Sequence, residues 1–417
     1  MYLRNSAILA FSVVLLCLSA PTVFHQPGQA SETAKMTYED SIKDFLKDRL
    51  YTKEQLDEWL RPKEDSFSQY DPLVGYQMHN RQLKEGIDGS NVTYHYDENG
   101  ARQMINYADK PCRINTYGSS FTDCEQVNDG ESWQERLAAH IGEPVRNYGV
   151  GGQTVYQSYL RMQREHKVTP TDYIIVNVTP PYERQMYGWQ AFFYTKSAKH
   201  PCPPMPCVRV NSKTGKFEER PNPCPTAESL YNCCDFDWVY DTFKDDFTLH
   251  IRLAEDNIKK GRPELSYEPM MKMAADRGMQ AKIETPEKLR EVANALFIQE
   301  SVYATVRILE KIDKFAKANG IGVLYILTYA STVIEETLKS GKRFDQDVID
   351  FLDKKGLPYV DILDALIQDF GDYSISFDEY QKMHYVGHVS PMGNFFVAYK
   401  IKDKMIELMD PKPAPYR

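Results

Sequence analysis

Apolar and polar positions along the chain follow two different periods, and the change between them outlines the predicted elements. In "SIKDFLKDRL", residues Ile42, Phe45, Leu46 and Leu50 recur at helical spacing, which predicts a helix near the start. Further on, "NVTYHYDENGARQMINY" alternates like a hairpin whose turn is "DENG", residues 97–100. These two segments predict an N-terminal extension, residues 31–110, made of a helix and a hairpin.

From residue 111 onward, strand and helix patterns alternate. The third strand pattern, "DYIIVNV" at 172–178, is almost wholly apolar, as expected for a sheet covered on both faces. The other predicted strands are "RINTYG" (113–118), "VRNYGV" (145–150), "GVLYILTY" (322–329) and "YVDIL" (359–363). The helices between and after them are predicted at 132–142, 154–165, 285–319, 346–355 and 390–409. This order predicts a three-layer α/β/α domain over residues 111–410, with a central, mostly parallel, five-stranded sheet.

The alternation stops for about a hundred residues, at about 182–284. This stretch is too long for a plain connection and is rich in Pro, Cys and aromatic residues. It is predicted to be an insertion that forms a lid over the carboxyl ends of the strands, where open α/β sheets bind their ligands.

Composition excludes some classes of function. The chain has 417 residues, 42% of them hydrophobic and 26% charged, with a formal net charge of −9. It therefore lacks the basic surface expected of a nucleic-acid-binding protein. The 28 Tyr and 19 Phe suit a surface that handles sugars or apolar groups, and they suit ordinary core packing equally well.

The first thirty residues resemble an export signal. Arg4 precedes "AILAFSVVLLCLSA", a fourteen-residue apolar run that ends in small residues. Residues 1–30 are therefore predicted to be a signal peptide, and the protein to be secreted or periplasmic; an uncleaved N-terminal membrane anchor is the alternative. No other apolar run approaches the length of a membrane span, so no stable membrane insertion is expected after signal removal.

Export changes the interpretation of the cysteines, since oxidising compartments favour disulfides. Seven of the eight remain after removal of the signal, so at least one must be free or intermolecular. Disulfides are predicted within the insertion, with a zinc site as the weaker alternative because the spacing lacks a C-x-x-C pair. The five cysteines concerned are Cys202, Cys207, Cys224, Cys233 and Cys234. Cys112 and Cys124 flank the first strand and are a further candidate pair.

Candidate chemistry collects at the predicted strand ends. Ser120 follows the first strand, Gly152 follows the second, and His388 stands in a loop before the last helix. A serine hydroxyl needs a base to become a nucleophile, and the oxyanion that it creates needs hydrogen-bond donors. Glycines allow backbone N–H groups to approach a substrate closely. His384, nearby in the same region, is interpreted as structural.

Three blocks of sequence resemble the SGNH, or GDSL-like, hydrolase family. They are "GSSFT" at 118–122, with Ser119 in place of the usual Asp, "NYGVGG" at 147–152, and "HVSPMG" at 388–393 followed by Ala398. Each block is a weak pattern alone, but together they occur in the family's order and at predicted strand ends. The resemblance implies that Ser120 is the nucleophile, that the backbone N–H groups of Ser120 and Gly152 form the oxyanion hole, and that His388 is the general base.

Two family positions are occupied by other residues. Tyr385 stands three residues before His388, where the family has an Asp. Asp378, with Glu379 beside it, is the nearest upstream acid, so Asp378 is predicted to orient His388, with a Ser–His dyad as the alternative. Pro180 or Pro181 falls where the family has an oxyanion-hole Asn, and Asn177 is predicted to lie within the strand.

The resemblance implies an exported serine esterase that forms an acyl-enzyme and requires no metal or organic cofactor. Its expected partner is a small-molecule or carbohydrate ester, with an acetylated carbohydrate as one example. An O-acyltransferase using the same site is the close alternative. A protein that only binds a glycan or a partner is the alternative from a different class.

Overall fold

The computed structural model describes residues 36–61, 68–190 and 203–417. The predicted signal peptide, residues 1–30, and Cys202 lie outside the described residues. Within the described part, no helix is both long enough and apolar enough to cross a membrane.

A five-stranded parallel sheet forms the centre of the main domain. Its strands are β5 (Ile114–Tyr117), β6 (Val145–Asn147), β7 (Tyr173–Val178), β10 (Gly322–Leu327) and β11 (Tyr359–Asp361). They lie side by side in the order β11-β10-β7-β5-β6. All six residues of β7 are buried, which explains its continuous apolar pattern. The predicted five-stranded sheet is therefore confirmed.

Helices cover both faces of this sheet. The helices are α1 (Tyr38–Lys47), α2 (Lys53–Leu60), α3 (Ser120–Asp123), α4 (Trp133–Ile141), α5 (Val155–Glu165), α6 (Phe236–Phe243), α7 (Phe247–Lys259), α8 (Tyr267–Asp276), α9 (Pro286–Asn319), α10 (Ser331–Ser340), α11 (Gln346–Lys355), α12 (Ile362–Gly371), α13 (Phe377–His384) and α14 (Pro391–Leu408). On one face, α4 packs against β6 and α14, and α14 also packs against β10 and β11. On the other face, α5 and α9 pack against each other, α5 packs against β5 and β7, and α9 packs against β10. The main domain is thus the predicted three-layer α/β/α fold.

Local sequence signals explain where the longest helix begins and ends. The Thr285 side chain accepts a hydrogen bond from the Lys288 amide, and Pro286 occupies the first helical position. Gly320 ends α9 in the left-handed conformation, with φ of 68°. These are the boundaries that the sequence predicted.

The N-terminal extension contains the predicted hairpin turn and two further strand pairs. At 97–100 the turn forms: the Asp97 and Gln103 amides donate to the Ala101 and His95 carbonyls at 2.8 Å, and Tyr96 bridges Arg102. β4 (Asn91–Tyr94) also pairs with the preceding β3 (Arg81–Lys84), and β1 (Gln69–Asp71) pairs with β2 (Gly75–Gln77). The second arm of the turn also contacts β6, because the Arg102 amide donates to the Asn147 carbonyl at 2.8 Å.

The insertion and the N-terminal helices share a second hydrophobic core. β8 (Cys207–Asn211) and β9 (Lys216–Arg220) form a hairpin, which α6, α7 and α8 follow. α1 packs against α6 and α7, and α2 packs against β1 and the 3-10 helix Glu228–Cys234, in one cluster with Trp189, Val150 and Phe243. Since Val150 belongs to the glycine-rich turn after β6, this second core adjoins the carboxyl edge of the central sheet.

The described cysteines are free thiols, so the predicted disulfides are not formed among them. The Cys112–Cys124 pairing is wrong for a geometric reason. Cys112 precedes β5 and Cys124 follows α3, so the length of the strand, about 13 Å, separates them. Cys224 and Cys233 do contact each other through a hydrogen bond between their side chains, and both are buried in the second core.

Candidate active site

The predicted nucleophile Ser120 lies in a turn formed by residues 118–127, the nucleophile turn, which follows β5. The close approach of β5 to its neighbours shapes this turn. β5 ends at Tyr117, and α3 begins at Ser120. A Cβ on Gly118 would collide with Thr122 Oγ1 and would lie 2.9 Å from Asn177 Cβ. A glycine is therefore required before the serine pair, which explains the spacing of the first block.

Of the two adjacent serines, only Ser120 is joined to a base. Its Oγ lies 2.9 Å from His388 Nε2. Ser119 is the residue before the first turn of α3, and its Oγ is buried without a hydrogen-bond partner. The fold thus separates the roles of two residues that the sequence presents side by side.

His388 is held against the nucleophile turn by its own backbone. The loop turns back through an antiparallel bridge between Tyr385 and Val389, and the His388 amide donates to Gln126 Oε1 at 2.6 Å. Gly387, with φ of 131°, packs directly on the Gln126 side chain. Gln126 therefore ties the base to the segment that follows Ser120.

The surroundings of His388 favour the neutral imidazole. The pKa of His388 is lowered to about 4, chiefly by burial and also by Arg184, while the charge of Asp123 opposes the shift. A neutral ring can accept the Ser120 proton at pH 7, as a general base must.

The second sequence block lies against the first. The Val150 amide donates to the Gly118 carbonyl at 3.1 Å, and a Cβ on Gly149 would collide with the backbone of Asp123. Gly152 adopts a left-handed φ of 76° in the turn closed by the Gln153 amide and the Val150 carbonyl. The structure therefore places the Gly152 turn beside the nucleophile turn, where the resemblance requires it.

Asp378 and His388 are not brought together. Asp378 is exposed in the first turn of α13, and six residues of helix, a rise of about 9 Å, separate it from His384. Glu379 caps the same helix through Ser376. Tyr385, at the family's Asp position, is buried and donates to the Tyr329 carbonyl at 3.1 Å. Among the described residues, no hydrogen bond to His388 Nδ1 is present.

The side-chain oxyanion donor is also replaced. Asn177 lies inside β7, as predicted, and its Oδ1 accepts hydrogen bonds from Thr179 and Thr328 at 3.1 and 2.8 Å. A cation borders this side of the site instead, since Arg184 Nη1 lies 4.0 Å from the position of a Cβ on Gly152.

A buried network of charges supports the nucleophile turn from below. Arg102 donates to the carbonyls of Asp123, Cys124 and Val127 and pairs with the Asp129 carboxylate at 2.8 Å. Arg81 pairs with Asp123 at 3.1 Å, with both side chains fully buried. The N-terminal extension therefore supplies the cations that fix the turn, which the sequence analysis missed because neither arginine lies in a recognisable motif.

Glu125 is a further residue beside Ser120 that the sequence pattern did not indicate. Cys124 and Gln126, on either side, have left-handed φ values of 59° and 73°, so the chain reverses and returns Glu125 toward Ser120. Glu125 Oε2 lies 3.4 Å from His388 Nε2, the nitrogen that faces Ser120. Nothing in the residue order after α3 marks such a reversal.

Comparison with known proteins finds similarity to solved structures only. No protein-family model matches the sequence, and no curated protein matches it. Among solved structures, the chain is similar to a GDSL-like lipase from Bacteroides thetaiotaomicron, over 72% of this chain and 90% of that chain, at 11% identity and a TM-score of 0.27. At this identity and score, the likeness carries no argument about the site, whose chemistry rests on the geometry above.

Proposed function

We propose that this protein is a serine esterase that cleaves carboxylic esters through an acyl-enzyme on Ser120. The observation that carries the proposal is the 2.9 Å contact between Ser120 Oγ and His388 Nε2 at the carboxyl edge of a parallel sheet. The low pKa of His388 supports it, since the base is neutral and ready to accept a proton.

In the first half-reaction, Nε2 accepts the Ser120 proton while Oγ bonds to the acyl carbon. The carbonyl oxygen becomes an oxyanion, which the amides of Ser120 and Gly152 would bind, with Arg184 adding positive charge nearby. His388 then returns the proton to the departing alcohol. In the second half-reaction, His388 activates water, which displaces Ser120 from the acyl group.

The substrate class to test first is an acetyl ester on a carbohydrate, acted on outside the cytoplasm. Transfer of the acyl group to a sugar hydroxyl instead of water would use the same intermediate. Binding without catalysis is the competing function, favoured by the exposed position of Asp378 and the replaced Asn donor.

The adjacent serines provide a matched pair of variants. We expect Ser120→Ala to abolish hydrolysis of short-chain aryl esters and labelling by a fluorophosphonate probe. Ser119→Ala should retain most of both, because it removes only a buried hydroxyl that lacks a partner. Equal loss in two folded variants would contradict the assignment, and an unlabelled parent would favour the binding function.

A further inference from the structure

We propose that Glu125 is a further catalytic residue, which acts as a neutral carboxylic acid and keeps His388 Nε2 free to accept the Ser120 proton. The inference rests on the proposed function, since it concerns the same base. It assigns the protonated state to the carboxyl of Glu125, a residue that lies outside the three sequence blocks.

The geometry places two oxygens on one nitrogen. Ser120 Oγ and Glu125 Oε2 lie 2.9 and 3.4 Å from His388 Nε2. Nε2 has a single position for either a lone pair or a proton. If Glu125 is a carboxylate, it attracts a proton to Nε2, and the base then cannot accept one from Ser120. In the neutral acid the proton must therefore lie on Oε1, because a proton on Oε2 would be donated to the Nε2 lone pair in competition with Ser120.

Among the residues that the structure describes, no hydrogen bond at Nδ1 selects the His388 tautomer. In a Ser-His-Asp triad, the acid binds the Nδ1 proton and thereby leaves the Nε2 lone pair for serine. Here Asp378 is exposed on α13 and makes no hydrogen bond to the ring among the described residues. A negative charge beside Nε2 would therefore favour the tautomer with its proton on Nε2, because no contact at Nδ1 among the described residues favours the other tautomer.

The surroundings of Glu125 favour its protonated form. Its side chain is only 12% exposed, and Oε1 is buried without a hydrogen-bond partner. The pKa of Glu125 is raised to about 8, chiefly by burial and also by the charges of Asp123 and Glu85. Arg81 and Arg184 oppose it, but Arg81 already pairs with Asp123.

Each element around the site contributes a titratable or charged group to this balance. Asp123 comes from α3, Arg81 from β3, Tyr94 from β4, Arg184 from the 3-10 helix Tyr182–Met186, and His388 from the loop after α13. Glu85 follows β3 and accepts a hydrogen bond from the Tyr94 hydroxyl at 2.5 Å. Burial lowers the pKa of His388 and raises that of Glu125, so the contacting pair favours a neutral ring beside a protonated carboxyl.

The sign of the pH effect follows from these two groups. The reactive state has His388 neutral and Glu125 protonated, so reactivity is lost below about pH 4 and again above about pH 8. The second loss is the distinctive one, because a site with only a Ser–His pair remains reactive when its histidine is neutral.

The test measures the rate constant for labelling of Ser120 by a fluorophosphonate probe between pH 5 and 9.5. In the parent protein we expect the rate constant to fall about tenfold from pH 7 to pH 9, because the protonated fraction of one carboxyl with a pKa of about 8 falls about tenfold over this interval. In Glu125→Gln, which cannot ionise, the same ratio should be close to one. Glu143→Gln is the matched control, because Glu143 pairs with Arg113 at the opposite edge of the sheet, and it should keep the fall.

A parent rate that does not fall up to pH 9.5 would overturn the proposal, as would a fall that persists in Glu125→Gln. A folded Glu125→Gln that is unreactive at every pH would also overturn it, since the carboxylate itself would then be required. If this variant does not fold, ¹⁵N-histidine NMR of the parent decides, because Nε2 of His388 should gain a proton as the pH passes about 8. Failure to label Ser120 at any pH would instead refute the proposed function, so the two failures are distinguishable.

Discussion

Replacing Arg102 with Met should both destabilise the protein and slow the reaction of Ser120. Met keeps much of the length of the side chain but removes the guanidinium, which is buried with 1% of its side chain exposed. The loss leaves three carbonyl oxygens, those of Asp123, Cys124 and Val127, without this donor.

The magnitude follows from those contacts. Removing one partner of a buried ion pair typically costs about 3–5 kcal/mol. Asp129 keeps two contacts with His95, whose Nδ1 lies 2.7 Å from Oδ2 and whose amide donates to Oδ1 at 3.2 Å, which limits the loss. We therefore expect the free energy of unfolding to fall by about 4 kcal/mol, a large share of the roughly 5–15 kcal/mol that stabilises a typical protein.

The same change should act on the site, because residues 123–127 carry both Glu125 and Gln126. A displacement of about 1 Å in a catalytic group can cost about a hundredfold in rate. We expect the rate constant for labelling of Ser120 to fall about a hundredfold when it is measured at a temperature at which the variant is still folded.

Denaturant unfolding, followed by circular dichroism, measures the stability, and fluorophosphonate labelling measures the site. Arg113→Met is the control, because it also removes an arginine–carboxylate pair but from a partly exposed position at the amino edge of the sheet. It should cost about 1 kcal/mol and leave labelling within a factor of two. If Arg102→Met also costs only about 1 kcal/mol, the buried network does not hold the nucleophile turn as argued.

Two further predictions follow from individual placements. Asp378→Asn should change ester hydrolysis by less than threefold, because Asp378 is exposed on α13, whereas His388→Ala should abolish it; a loss of a hundredfold or more in Asp378→Asn would restore the triad. Under oxidising conditions, Cys224 and Cys233 should form a disulfide, since their side chains already contact each other; peptide mapping of the unreduced protein that finds both as thiols would contradict this.

The sequence alone determined the layers of the main domain and singled out Ser120 and His388, whose side chains the structure brings within 2.9 Å of each other. Strand–helix alternation with an almost wholly apolar third strand requires a parallel sheet covered on both faces, and the structure has that sheet. Thr285, Pro286 and Gly320 set the ends of α9 through local backbone chemistry. Ser120 and His388 were found because a short block around each residue constrains the local turn.

The supporting contacts were decided only by the tertiary structure. The sequence predicted the hairpin turn at 97–100, which forms, but not the pairing of β4 with β3 or the contact of Arg102 with β6. Asp378 was the acid nearest to His388 in sequence, yet a helix keeps it in solvent. Glu125 reaches His388 through two left-handed residues, Cys124 and Gln126, which no glycine marks. Contacts between distant segments depend on how the helices and strands pack. The local sequence pattern indicates which element forms, but not which element packs against it.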